Sequence, residues 1–144
     1  MKKQEFEVRI MEKFPPEFLR AARKLYLENA WIDENASPDF PRNAFAGSFL
    51  VAAAFASDGR LAGVGRSLSD GVSDAFIQDV MTAKEFRRRG VGRLVTAALV
   101  EELRKRGIDW IGLVGVPGTE KFYASCGLVS APGHTLWMAE GPKR

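Results

Sequence analysis

The sequence is poor in the residues that build disulfides and metal centres. It has a single cysteine, Cys126, and a single histidine, His134, among 144 residues. One cysteine excludes an intramolecular disulfide, and a chain without disulfides is typical of a reducing compartment. One cysteine and one histidine also leave no Cys/His ligand set for zinc. The sequence therefore predicts a cytoplasmic protein with no metal site.

Long hydrophobic runs and a strong net charge are missing as well. No apolar run reaches the roughly 18 residues that a membrane span needs, and the first residues carry lysines without the apolar segment of a signal peptide. The net charge of +3 permits an anionic partner without implying nucleic acid. With 46% hydrophobic and 27% charged residues, the composition is that of an ordinary globular protein. We therefore expect a single domain over residues 1–144 with no membrane partner.

The hydrophobic pattern changes its period along the chain. Residues 5–12 alternate as in a strand, and residues 15–32 show helical spacing. A turn-rich segment with one short helix follows, and apolar runs separated by turns predict an antiparallel meander over residues 48–82. From Gly90 an apolar stripe predicts a helix, and residues 109–116 resemble a strand buried on both faces. A short helix and one or two closing strands would complete an α/β fold, a mixed sheet with helices packed on it.

The segment "RRRGVGR", residues 87–93, joins three arginines to a Gly-x-Gly pair at the start of the predicted helix. Cations beside a helix N-terminus are unfavourable by themselves, because that end already carries partial positive charge. Glycine lets a ligand approach the backbone, and the unpaired N–H groups of the first turn form an anion site. The arginines therefore indicate a ligand with several negative charges. The sequence has no Walker A loop, and Val95 stands where a dinucleotide fingerprint needs its third glycine.

This segment and its surroundings resemble the GNAT superfamily of N-acetyltransferases. "RRRGVG" fits that family's Gln/Arg-x-x-Gly-x-Gly/Ala motif, and "KFYASCGL", residues 121–128, resembles its Phe-Tyr-x-x-x-Gly-Phe signature with leucine at the last position. "AFIQDV" and "GTEKFYASCGL" together are similar to small bacterial members related to plant arylalkylamine (serotonin-type) acetyltransferases. The resemblance covers residues 75–129.

The resemblance implies acetyl-CoA as co-substrate and assigns its site. Backbone groups of Val80, Met81 and Thr82 would bind the pantetheine arm in the manner of an added strand. The residues that would hold the pyrophosphate and the 3′-phosphate end are Arg87, Arg88, Arg89, Gly90, Val91, Gly92 and Arg93. Many relatives have an asparagine six residues before the signature tyrosine, where this chain has Pro117. That contact is therefore absent or made by the backbone.

Two side chains are candidates for the chemistry. The resemblance places Tyr123 near the thioester sulfur as general acid, although residue type alone would favour packing beside Phe122. Asp79 lies in mid-strand, where aspartate is disfavoured and a carboxylate needs a partner or a purpose. It could deprotonate or orient the amine, or it could form a structural hydrogen bond to a neighbouring loop. Strand alternation predicts that Gln78 and Asp79 point to opposite faces.

Four other conspicuous side chains are assigned structural roles. The tryptophans, Trp31, Trp110 and Trp137, are expected in the core. Cys126 is not expected to carry the acetyl group, because no histidine is placed to activate it.

The sequence therefore predicts an acetyl-CoA-dependent N-acetyltransferase that transfers the acetyl group directly to the primary amine of a small molecule. Acetylation of a protein N-terminus or lysine is an alternative, as is a non-catalytic acyl-CoA-binding module. A basic nucleic-acid-binding module is disfavoured, because DNA phosphates require a spread basic face rather than one loop. A homodimer is left open.

Overall fold

The computed structural model describes residues 3–141, which form one sheet packed with helices. The strands are β1 (Phe6–Ile10), β2 (Leu50–Ala56), β3 (Leu61–Ser69), β4 (Asp74–Thr82) and β5 (Trp110–Leu113). The helices are α1 (Pro16–Glu28), α2 (Phe40–Ala46), α3 (Val91–Lys105) and α4 (Glu120–Ser125), and a 3₁₀ turn spans Lys84–Phe86. None of these helices is both long and apolar enough to cross a membrane.

The sheet is mixed, as the sequence predicts. Its strands are ordered β1-β2-β3-β4-β5, the first four are antiparallel, and β5 joins β4 in parallel. The meander therefore comes from the hairpin signals of residues 48–82, and the parallel strand follows the α3 crossover, as parallel pairing requires. The predicted α/β fold class is confirmed.

The apolar stripe of α3 fixes that helix on the sheet. Val91, Val95, Leu99 and Leu103 are fully buried, and α3 packs across β1 to β4. Burial of each such side chain stabilises the fold by about 1.5–3 kcal/mol. Because these contacts extend from the first turn to the last, packing sets where the N-terminus of α3 lies relative to β4.

The helix α1 and the short α2 cover the opposite face of the sheet. Phe18 of α1 lies 5.7 Å from Phe45 of α2 and 6.3 Å from Phe55 of β2 between ring centroids. α1 ends four residues before the predicted end at residue 32, because Ala30 adopts a left-handed conformation with φ of 57°. The N–H of Trp31 then bonds to the carbonyl of Tyr26, a Schellman-type ending that turns the chain toward β4.

The C-terminal third differs from the sequence prediction. β5 spans only Trp110–Leu113 and none of its residues is buried, so the prediction of a strand over 109–116 covered on both faces was wrong. The closing strands were also wrong, since residues 128–141 contain no strand. β5 is the edge strand of the sheet, which leaves its apolar side chains partly exposed. Trp110 lies on this edge strand and is 53% exposed, whereas Trp31 and Trp137 lie in loops and are 45% and 89% exposed. The prediction that the tryptophans lie in the core was therefore wrong.

Candidate active site

A cleft opens where β4 and β5 separate. Their parallel pairing ends at Ile77 opposite Leu113, so the edge of β4 from Gln78 to Thr82 continues without β5 beside it. The cleft has a volume of about 990 Å³ and extends to the N-terminus of α3 and to α4. A strand edge of this kind offers backbone donors and acceptors to an extended ligand.

One end of the cleft is built to attract an anion. The 15-residue helix α3 begins after Gly90, whose φ of 84° is left-handed and favours glycine, and its first turn contains no acidic residue. The first helical hydrogen bond runs from the N–H of Leu94 to the carbonyl of Gly90, so the N–H groups of Val91 to Arg93 have no partner within the helix. These groups and the helix dipole fit a phosphate group.

The second glycine of the motif is required for a different reason. A Cβ on Gly92 would lie 2.9 Å from Cζ of Phe122, closer than side chains tolerate, and 3.6 Å from Oγ1 of Thr82. Glycine here lets the first turn of α3 approach α4. Around Gly90, by contrast, no atom lies within 4 Å of the built Cβ, so the constraint there is conformational.

The arginines of the motif separate into two groups. Arg87, Arg88 and Arg93 line the cleft, and Arg87 also donates a 3.2 Å hydrogen bond to Oδ1 of Asn29 at the end of α1. Arg89 does not line the cleft. It pairs with Glu5, and its guanidinium lies over the rings of Phe6 and Phe86.

The predicted strand residues reach the cleft in different ways. Val80 and Thr82 line it. Met81 is only 1% exposed and does not line the cleft, so its side chain belongs to the core.

Tyr123 lies on α4 and lines the cleft. It is half-buried and stacks edge-on against Phe122, with ring centroids 4.9 Å apart. Burial raises the pKa of the Tyr123 phenol above its ordinary value, and the neighbouring Cys126 adds to the shift. Over residues 3–141 the phenol oxygen has no hydrogen-bond partner, which leaves its proton available to a ligand. Thr119 is the N-cap residue of α4, and its hydroxyl donates to the carbonyl of Val116.

Asp79 also lines the cleft, at an irregularity of β4. Its φ of 53° is left-handed, and its Oδ2 accepts hydrogen bonds from the hydroxyl of Tyr26 at 2.8 Å and from Nε of Arg66 at 2.7 Å. Arg66 also reaches Oε1 of Gln78 at 3.4 Å, so the expectation that Gln78 and Asp79 point to opposite faces was wrong. Strand alternation fails here because the bulge rotates the backbone.

Sequence reasoning missed three side chains around Asp79 and the cleft. Tyr26 fitted the apolar stripe of α1, and Trp31 was assigned to the core, yet Trp31 lines the cleft. Arg66 had a readable signal, because it is the one charged residue of β3 and Asp79 lies in the middle of β4. Two opposite charges in consecutive antiparallel strands indicate an ion pair.

Several residues that line the cleft are apolar. They include Trp31, Phe76, Val116, Leu136 and Met138. Over the described part of the chain, no three His, Cys, Asp or Glu side chains cluster as a metal ion would require.

Comparison with known proteins identifies the fold and the family. Residues 9–128 match the model of the acetyltransferase (GNAT) family. GCN5-related N-acetyltransferase 1, chloroplastic, of Arabidopsis thaliana is 39% identical over 67 residues, which cover 46% of this chain and 34% of the relative. Serotonin N-acetyltransferase 2, chloroplastic, of Oryza sativa subsp. japonica is 33% identical over 91 residues, covering 63% and 46%. A GNAT family acetyltransferase of Streptococcus pneumoniae has a TM-score of 0.73 at 19% identity, covering 94% of this chain and 99% of the other.

The chain spans less than half the length of these two plant relatives. Both are named as chloroplastic, so they give no support to the expected cytoplasmic location, which stays a prediction.

Proposed function

The chain belongs to the GNAT family of acetyltransferases, and we propose that it transfers an acetyl group from acetyl-CoA directly to a primary amine of a small molecule. One observation carries the proposal. A single cleft joins an anion site at the N-terminus of α3, the free edge of β4 and the phenol of Tyr123. Acetyl-CoA has the matching parts in the same order, a pyrophosphate, an extended pantetheine arm and a thioester.

The residues present fit acetyl-CoA. The N–H groups of Val91, Gly92 and Arg93 would hold the pyrophosphate, with Arg88 and Arg93 supplying charge. The edge of β4 over Val80 to Thr82 would bind the pantetheine amides as a neighbouring strand would. Arg87 contributes to the rim beside Asn29, whereas Arg89 acts outside the cleft. When bound, acetyl-CoA supplies the activated acyl group.

Tyr123 is the proposed general acid. A departing thiolate needs a proton, and the raised pKa of the phenol keeps that proton in place across the physiological pH range. A backbone N–H on the free edge of β4 is available to the thioester oxygen as negative charge develops on it.

The amine must lose a proton before it can attack. Asp79 is poorly placed to take that proton on Oδ2, where Tyr26 and Arg66 already donate. We assign the proton to water in the open cleft and give Asp79 a different role, developed below.

Direct transfer is favoured over an acetyl-cysteine relay. Cys126 directly follows α4, rather than standing at a helix N-terminus, where reactive cysteines are typically found. The single histidine lies in an exposed turn, with its Nδ1 3.2 Å from the carbonyl of Pro132. Neither feature would activate the thiol.

The acceptor side supports an amine with an apolar body. Trp31, Phe76 and Met138 form apolar walls, and the relative from Oryza sativa is named a serotonin N-acetyltransferase. We therefore propose arylalkylamines as the first acceptors to test. A homodimer stays a prediction, which light scattering of the purified protein would measure.

The function is tested with acetyl-CoA and a panel of arylalkylamines, polyamines, amino sugars and lysine peptides, with thiol release as the readout. We expect amine-dependent thiol release that is greatest with an arylalkylamine. Release only with peptides would replace the small-molecule acceptor with a protein. If the protein did not bind acetyl-CoA at millimolar concentration but bound duplex DNA, the proposed acetyltransferase activity would be refuted.

A further inference from the structure

We propose that Tyr26 and Arg66 are positioning residues that lock Asp79 in a bulge of β4, and that this lock holds the strand edge at which the thioester binds. The proposal rests on the proposed function for the identity of the ligand. It assigns roles to two side chains that lie outside the motif and to a carboxylate whose chemistry the sequence left open.

The bulge lies where the cleft begins. Val64 pairs with Met81 and Arg66 with Gln78, so two residues of β4, Asp79 and Val80, stand opposite the single Gly65 of β3. A bulge bends its strand and increases the local twist. The pairing with β5 ends immediately before it, at Ile77. The bend therefore coincides with the separation of β4 from β5.

Asp79 is the residue in the unusual conformation. Its φ of 53° is left-handed, which aspartate and asparagine tolerate better than most residues and which disfavours alanine. The conformation persists only when its surroundings determine it.

Two elements fix that conformation through one carboxylate oxygen of Asp79. Tyr26 reaches Oδ2 from α1, and Arg66 reaches it from β3. The remaining guanidinium nitrogens of Arg66 lie 3.4 Å from Oγ of Ser48, just after α2, and 3.4 Å from Oε1 of Gln78. The side chains of Arg66 and Asp79 are only 15% and 18% exposed, and Tyr26 is 1% exposed. Removal of one member would leave a shielded partner unpaired.

Positioning and general-base roles make opposite predictions for Asp79→Asn. Asparagine adopts the left-handed conformation and can still accept hydrogen bonds from Tyr26 and Arg66, but it cannot take a proton at neutral pH. Alanine neither accepts these bonds nor favours the conformation. Tyr26→Phe removes one donor and leaves the rest of the core side chain in place.

The test compares Asp79→Asn, Asp79→Ala and Tyr26→Phe in the full chain. Thr96→Val is the control, because Thr96 is also buried and its hydroxyl has no partner within residues 3–141. We expect Asp79→Asn and the control to stay within about threefold of wild type in acetyl-CoA Kd, measured by calorimetry, and in kcat, with an unchanged pH profile. Asp79→Ala should lose roughly tenfold or more in both, because a displaced strand edge misplaces the thioester. Tyr26→Phe should lose about fivefold and add nothing in the Asp79→Ala background, as expected of partners in one network.

Two kinetic outcomes overturn the proposal. Equal losses of kcat in Asp79→Asn and Asp79→Ala, with wild-type Kd values, would make Asp79 the base. Wild-type behaviour of Tyr26→Phe and Asp79→Ala would show that the lock is irrelevant.

Amide hydrogen exchange separates this proposal from the proposed function, since it needs no ligand. Exchange over residues 78–82 should quicken in Tyr26→Phe and Asp79→Ala and stay unchanged in Asp79→Asn. Unchanged exchange in all variants refutes the lock, whereas wild-type protein that fails to bind acetyl-CoA refutes the proposed function alone.

Discussion

Substitution of Gly90 separates the strain at the start of α3 from its role as an anion site. Gly90 has a φ of 84° and open space around its missing side chain. Gly90→Ala should therefore lose about 1–2 kcal/mol of unfolding free energy through left-handed strain alone. For a domain of this size that corresponds to a fall in Tm of about 3–8 °C. Gly90→Glu adds a carboxylate at the first turn of α3, where Gly90 to Arg93 line the cleft.

The chain offers a matched control at the other end of the same helix. Gly107 has a φ of 85° and likewise no atom within 4 Å of a built Cβ, but it does not line the cleft. Gly107→Glu should show a similar loss of stability, with up to about 1 kcal/mol more because the helix dipole opposes an anion there.

The assay is thermal unfolding with and without acetyl-CoA. At a hundredfold excess over Kd, the ligand should stabilise wild type and Gly107→Glu by about 2.7 kcal/mol. Gly90→Glu should lose the ligand-induced rise in Tm, whereas Gly90→Ala should keep most of it. An undiminished rise in Gly90→Glu would refute the assignment of the phosphate site to the N-terminus of α3.

The remaining predictions concern the arginines, the acid, the thiol and the amine proton. Arg88→Met should raise the KM for acetyl-CoA about tenfold, as expected for loss of a charged phosphate contact of roughly 1.5 kcal/mol, and Arg89→Met should raise it far less; equal KM values in the two variants would contradict their different placement. Tyr123→Phe should lower kcat on the order of 10²-fold with little change in acetyl-CoA Kd, and an unchanged kcat would return Tyr123 to a packing role. Cys126→Ala should keep most of its activity, and double-reciprocal plots against both substrates should intersect; parallel plots with an acetylated Cys126 peptide would establish a covalent relay. kcat/KM for the amine should rise about tenfold per pH unit from about pH 6 to about pH 9, because primary amines have a pKa of about 10. The raised pKa of Tyr123 keeps the acid protonated over that range, whereas a plateau beginning near pH 7 would reveal a protein base.

Features encoded by neighbouring residues were predictable from the sequence. The stripe of α3 is a local pattern of apolar residues at positions 91, 94, 95, 98, 99 and 103, and all six are buried or partly buried. The left-handed start at Gly90 also follows from local chemistry, because glycine adopts that conformation most readily. Local signals of this kind predicted the family, which is confirmed, and an anionic ligand at the start of α3, which stays a prediction.

Features that depend on distant residues were not predictable in the same way. Asp79 meets Tyr26 across 53 positions of sequence, and Arg89 meets Glu5 across 84. A single sequence does not specify these pairs. The exposure of Trp110 depends on β5 being the edge of the sheet, and periodicity does not distinguish an edge strand from a central one.

Acetyl transfer itself is measured most directly by incubating the purified protein with isotope-labelled acetyl-CoA and an arylalkylamine and then detecting the product by mass spectrometry. We predict a labelled N-acetylated amine formed in equal amount to free coenzyme A, at a rate that Tyr123→Phe reduces and Cys126→Ala does not. Acetyl-CoA consumption without any labelled amide, across the whole amine panel, would contradict the account.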